Sequence, residues 1–99
     1  MTYELEFKRS AQKEWKKLGS TLKEQFEKKL EERLNKPHVQ SDRVLGGSNI
    51  YKIKLRQSGY RLVYQVQDEI LIVTVIAIAI GKRERNQAYK NALKRLDAD

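Results

Sequence analysis

The chain has 99 residues, 39% of them apolar and 34% charged, with a net charge of +8. That size supports one small domain with one core, residues 1–99. The absence of cysteine excludes a disulfide framework and a thiolate metal site.

The opening MTYELEFKRS lacks the apolar core of a signal peptide. The apolar stretch at residues 70–80 falls short of the roughly 20 residues a membrane helix needs. A cytoplasmic protein that engages no membrane is expected. The charge is uneven. Residues 1–42 hold ten basic and eight acidic side chains, residues 43–67 five basic and no acidic ones, and residues 82–95 six basic and one acidic. The positive field therefore belongs to the second half, and it points to nucleic acid or another acidic partner.

Residues 2–8, TYELEFK, alternate as a half-buried strand with Tyr3, Leu5 and Phe7 on one face. Ser10 can cap a short helix carrying Ala11, Trp15 and Leu18 on one side and stopped at Gly19. Thr21-x-x-Glu24 has the form of a capping box for a second helix. Leu22, Phe26, Leu30 and Leu34 form its buried stripe, and the Lys- and Glu-rich remainder reads as a solvated face. Pro37 ends it. The Gly-Ser turn between the two helices makes them a hairpin that can cover a sheet.

Residues 38–49 are a connection containing Gly46, Gly47, Ser48 and Asn49. In the strand at 50–56, Tyr51, Ile53 and Leu55 point one way while Lys52, Lys54 and Arg56 point the other. Gln57-Ser58-Gly59 supplies a tight turn. The partner strand at 60–66 places Tyr60, Leu62, Tyr64 and Val66 on one face and Arg61, Val63 and Gln65 on the other. Residues 67–69 turn the chain into a third strand at 70–80, rich in Ile and Val and open to packing on both faces. Gly81 ends that strand, and Lys82, Arg83, Glu84 and Arg85 sit at its tip. A final helix spans 86–96 with Tyr89, Ala92, Leu93 and Leu96 on one side. The order β-α-α-β-β-β-α gives an α+β fold: an N-terminal strand and helical hairpin on a small, mainly antiparallel sheet, with a C-terminal helix.

Conventional catalytic groups are scarce. His38 is the one histidine and has no metal-ligand spacing around it. Ser48 and Ser58 lack a His/Asp partner, and Gly46-Gly47-Ser48 lacks the Lys-Ser/Thr ending of a phosphate loop. What remains is cationic. Lys52 and Lys54 project from one side of a strand, ~6–7 Å apart. Arg61 is reachable from the next strand, and Arg83 from the tip of the third. Four such cations can hold a phosphate and its developing negative charge. Crowded like charges also disfavour each other's protonated form, so a lysine driven toward neutrality could take a proton from an RNA 2′-hydroxyl. A passive phosphate-binding face is the alternative the pattern leaves open. Tyr89 likewise fits core packing or stacking on an unstacked base.

Three blocks carry a resemblance to the RelE family of bacterial toxins: KEWKKLGST at 13–21, YKIKLRQSGYRLVYQV at 51–66, and GKRER at 81–85 followed by Tyr89. The resemblance covers nearly the whole chain. It implies a messenger-RNA endonuclease that acts in the A site of the small ribosomal subunit, needs no metal or other cofactor, and is held inactive by a RelB-type antitoxin. By the same resemblance, Lys52 and Lys54 lie at the scissile phosphate with Lys52 as general base. Arg61 and Arg83 stabilise the transition state, with Arg83 aiding protonation of the leaving 5′-oxygen, and Tyr89 stacks on the substrate base. Arg43, Arg56, Lys82 and Arg85 are candidates for binding the flanking phosphates. The protein is expected to be monomeric without its antitoxin. Two other classes stand beside this expectation: a non-catalytic RNA- or ribosome-binding module, which includes an inactive toxin variant, and a gyrase-directed toxin of the same fold.

The chain departs from the family pattern at Leu45, where some relatives carry arginine. It departs again in VIAIAIGKRER, two residues longer, as if one Ala-Ile were repeated. An even insertion keeps side chains on their faces but carries the following residues ~6–7 Å along the strand. A bulge or a longer turn at Gly81 would absorb that shift. Without one, Arg83 and Tyr89 are displaced and activity falls.

Overall fold

The structure is a computed structural model that describes residues 2–44, 47–55, 58–79, 90, 94 and 95. Strand β1 (Glu4–Phe7) leads into helices α1 (Arg9–Lys16) and α2 (Ser20–Asn35). A 3-10 helix (Gln40–Asp42) precedes strands β2 (Ile50–Lys54), β3 (Arg61–Gln67) and β4 (Ile72–Ala79). The sheet order is β1-β4-β3-β2. β2, β3 and β4 pair antiparallel, while β1 pairs parallel with β4. The expected α+β architecture is therefore observed, with a mixed sheet. Lys90, Lys94 and Arg95 are helical; the rest of the helix expected at 86–96 lies outside the described residues.

The helical hairpin covers one face of the sheet. Phe26 and Leu30 of α2 are buried, with Leu22 and Leu34 packed at the margins. They meet Tyr51, Ile53 and Leu55 of the β2 segment, Leu62, Tyr64 and Val66 of β3, and Val73, Val75 and Ile78 of β4. Helical spacing on one side and alternation on the other make this a single apolar layer. Trp15 bridges Phe7 and Phe26, with ring centroids 5.3 and 6.3 Å away.

Neither helix starts as expected. α1 begins at Arg9 with extended Lys8 as its N-cap, so Ser10 lies inside the first turn. α2 begins at Ser20 with Gly19 as its N-cap, so Thr21 does not close a capping box with Glu24. No side-chain cap forms at either N-terminus. The cause is the short linker. Lys17 and Leu18 close α1 with tight backbone bonds to Glu14 and Trp15 (3.2 and 3.1 Å), Leu18 is buried at the elbow, and the chain enters α2 at once.

β4 also starts later than expected, at Ile72 rather than Ile70. Leu71 has a positive φ of 55°, a conformation costly for a leucine. It aims the Leu71 carbonyl at the Glu4 N–H (2.8 Å) and so begins the parallel pairing with β1. Beside this turn, Asp68 accepts a 2.6 Å hydrogen bond from the Tyr3 hydroxyl and one of 3.4 Å from Asn49, and His38 Nε2 lies 3.0 Å from its carboxylate. The single histidine thus helps to tie three segments together.

Midway along β4 the register breaks. Val63 pairs with Ala77, but Tyr64 pairs with Val75, so Ile76 is an extra residue. This one-residue bulge switches the alternation: Val73 and Val75 face the helices before it, and Ile78 after it. Both neighbouring backbone groups find partners in a single ion pair. Glu14 accepts the Ile78 N–H at 3.1 Å, while Arg95 donates to the Ile76 carbonyl at 2.9 Å and to Glu14 at 2.8 Å. The expected strand, continuous to residue 80, is thus interrupted at Ile76 by a one-residue bulge, which, unlike an even insertion, changes the faces that the following side chains take. Residue 80 and the GKRER segment lie outside the described residues.

Two predictions concern these anchors. Glu14→Ala strips the bulge of an acceptor and leaves Arg95 unpaired, at a cost of about 1–3 kcal/mol in urea unfolding. Arg95→Ala should show a non-additive loss when combined with it. Second, the Tyr3 hydrogen bond, with His38 behind it, holds the Asp68 carboxyl below its ordinary value against the opposing effect of desolvation. A lowered carboxylate stabilises the fold above its unfolded pKa and loses that contribution as pH falls through the folded one. Asp68→Asn should therefore lower the urea midpoint at pH 7, and the difference from the parent should shrink as pH falls below about 4.

Candidate active site

Lys52 and Lys54 alternate along β2 with the buried Tyr51 and Ile53 and project from the sheet face opposite the helices. Lys54 is exposed and Lys52 half-buried. In the β2–β3 ladder Lys54 stands directly opposite Arg61. Like charges in that position are unfavourable, so nothing in folding alone selects this pair.

Arg61 is 4% exposed, far more enclosed than a solvated surface arginine. Its Nη1 donates to the Gly59 carbonyl at 3.1 Å. Gly59 has φ 78°, which glycine tolerates without strain. Its N–H donates to the Leu55 carbonyl at 2.8 Å, and Leu55 donates to the Tyr60 carbonyl at 2.9 Å. The tight turn therefore both closes the hairpin and holds the arginine.

On its other side Arg61 is in register with Ala79, the last residue of β4. β4 runs antiparallel to β3, so the chain leaves it at the same end of the sheet as Lys54 and Arg61. Arg56, Lys82, Arg83, Arg85 and Tyr89 themselves lie outside the described residues. Arg43 is exposed, but its isolated bridge is with Tyr51, whose side chain faces the helices. Bridge partners share a face, so Arg43 is not brought onto the lysine face.

A residue unnoticed in the sequence organises the outer edge of β2. Arg33 of α2 donates to Asp42 (2.6 Å), to the Tyr64 hydroxyl (2.8 Å) and to the Lys52 carbonyl (3.2 Å). The Tyr64 hydroxyl donates in turn to the Pro37 carbonyl at 2.7 Å. Burial alone would lower the Arg33 pKa, but Tyr64 and Asp42 outweigh it and hold the guanidinium above its ordinary value. Burial also pushes the Tyr64 hydroxyl up, against the pull of Arg33. Val44 donates to the Ile50 carbonyl at 2.8 Å. Together Val44 and Arg33 occupy two carbonyls on an edge strand that would otherwise be open to pairing. The backbone of Lys52 is thereby tied to α2. The available signal was spacing, since Arg33 follows Phe26 by two helical turns and falls on the buried stripe.

This arrangement concentrates cations, one of them buried and braced, on a sheet face with no carboxylate from β2 or β3. It suits a phosphate and the charge that develops on it during displacement.

Residues 5–86 match the family model described as the ParE toxin of the type II toxin–antitoxin system parDE. The chain is 53% identical over 96 residues to the mRNA interferase toxin RelE of Escherichia coli K12, spanning 97% of this chain and 99% of that protein. A free-state structure of an E. coli RelE double arginine-to-alanine mutant superposes with a TM-score of 0.86 at 51% identity, over 97% of this chain and 99% of the other. The intact E. coli RelBE toxin–antitoxin complex matches with a TM-score of 0.79 at 52% identity, over 82% of this chain and 99% of that one. With agreement in sequence and fold along nearly its whole length, the chain belongs to the RelE family of toxins from type II toxin–antitoxin systems.

Proposed function

We propose that this chain is an mRNA endoribonuclease toxin that cleaves the message in the ribosomal A site, inhibits translation and is neutralised by a RelB-type antitoxin. The observation that carries the proposal is the pairing of Lys54 against Arg61, with Lys52 on the same face, in a chain 53% identical to an mRNA interferase. The protein acts as one domain over residues 1–99, monomeric until antitoxin binds. No described helix is long and apolar enough to cross a membrane, and action on ribosomes places the toxin in the cytoplasm.

In the proposed reaction Lys52 takes the proton of a 2′-hydroxyl. The freed oxygen attacks the adjacent phosphorus, and the bond to the 5′-oxygen of the next nucleotide breaks. That oxygen leaves with a proton supplied through Arg83, giving a 5′-hydroxyl and a 2′,3′-cyclic phosphate. Arg61 and Lys54 oppose the negative charge on the non-bridging oxygens. Tyr89 stacks on the base to hold the 2′-oxygen in line. Arg56, Lys82 and Arg85 hold neighbouring phosphates. The chemistry is spare, and the ribosome supplies much of the alignment. An acidic antitoxin segment that folds on binding would answer the basic face.

Single-turnover cleavage on programmed ribosomes tests these roles. Lys52→Ala and Lys54→Ala should each lower the rate about 10²-fold or more with an unchanged urea midpoint. Arg61→Ala should do the same, with the midpoint measured to separate lost charge from a cavity. Parental rates in all three variants would remove the catalytic assignment. Bound ribosomes with an intact message would favour a passive RNA-binding module, and inhibition of supercoiling without ribosomes would favour the gyrase-directed class.

A further inference from the structure

Resting on that reading, the structure assigns a second RNA-backbone phosphate subsite to a cleft over the outer edge of β2, formed by Lys29, Ser41 and the shared Lys54. The cleft encloses about 330 Å³ between α2, the 3-10 helix and β2. Its floor is the Arg33–Asp42 ion pair, in which the one carboxylate of the lining is answered at 2.6 Å. The remaining guanidinium bonds are spent on Tyr64 and the Lys52 carbonyl. The floor is therefore satisfied, and the excess charge lies on the rim.

That rim carries Lys29, Lys52 and Lys54, with the hydroxyl of Ser41. Lys29 lies one helical turn before Arg33 and is exposed, as are Ser41 and Lys54. Among the described residues no ion pair engages Lys29 or Lys54. The ammonium groups of Lys29 and Lys54 and the Ser41 hydroxyl around a self-satisfied floor make an anion site, and a phosphodiester supplies both the charge and the acceptor oxygens.

Continuity selects RNA over an acidic peptide. The cleft and the catalytic face share Lys52 and Lys54, whose strand spacing of ~6–7 Å suits successive phosphates of an extended strand. A strand with its scissile phosphate on the catalytic face would cross the β2 edge and place a neighbouring phosphate by Lys29. The phosphate could belong to the message or to ribosomal RNA, and the test separates the two.

The experiment measures ribosome affinity by sedimentation, and cleavage on the same programmed ribosomes, for the parent, Lys29→Ala, Lys29→Glu, Lys29→Arg and Ser41→Ala. Lys29→Ala should raise the half-saturating concentration three- to tenfold with little change in the saturated rate, and Lys29→Glu should raise it further. Lys29→Arg should restore it. The slope of log affinity against log salt should fall by about 0.7–0.9 in Lys29→Ala, as for one lost phosphate contact. A message with a neutral methylphosphonate beside the scissile linkage should weaken the parent but not weaken Lys29→Ala further, if the message supplies the phosphate. Additive losses, with weaker binding to ribosomes lacking a message, assign it to ribosomal RNA. Parental affinity and salt slope in both Lys29→Ala and Lys29→Glu would overturn the subsite. Because affinity is read without cleavage, a parent that binds but does not cut refutes the catalytic reading and still scores the subsite.

Discussion

The pairing of β4 on both edges is the constraint on which the rest depends. Parallel to β1 and antiparallel to β3, it joins the two ends of the chain's topology and is buried along Val73–Ile78 on both faces. Such a strand must be nearly all apolar, and its one polar side chain, Thr74, donates to Gln67 at 3.3 Å. It must also satisfy every backbone group it displaces. The bulge at Ile76 breaks the ladder, and the Glu14–Arg95 pair takes up the neighbouring carbonyl and N–H. One ion pair thus joins α1, the central strand and the C-terminal segment, and it does so where the strand is about to deliver the chain to the cationic end of the sheet.

That end is built from elements that each solve a local problem. A glycine turn closes the β2–β3 hairpin and holds Arg61 through its carbonyl. Arg33 and Val44 cover the edge of β2. The two lysines stand on the strand these contacts brace. Packing alone would not select a lysine opposite an arginine, and their repulsion is tolerable where a phosphate answers it. The energetic sense of the site and its chemical sense coincide.

Much of this was legible in the sequence. Alternation at Tyr51, Ile53 and Leu55, and the four-residue stripe at Leu22, Phe26, Leu30 and Leu34, locate the layers because each pattern has one period and one buried side. Helix starts were less legible, since Ser10 and Thr21 are good caps in isolation but the short linker moves both starts forward. The repeated Ala-Ile pointed to an irregularity toward the end of the strand, but not to a one-residue bulge at Ile76. β4 carries one polar residue, Thr74, and it lies before the bulge, so it cannot reveal the change of parity. Arg33 looked like one more charge on a Lys- and Glu-rich helix, although its distance from Phe26 placed it inward. Arg61's burial was not legible, since it lies on the face of β3 opposite the helices, where alternation predicts an exposed side chain.

The most direct test of the account is primer-extension mapping of a defined message on programmed ribosomes, with and without the purified protein, beside the same message free in solution. A cut within the A-site codon is expected, one that appears only with ribosomes and leaves a 2′,3′-cyclic or 3′-phosphate end. An intact message on ribosomes saturated with the protein, or equal cutting of the free message, would contradict it.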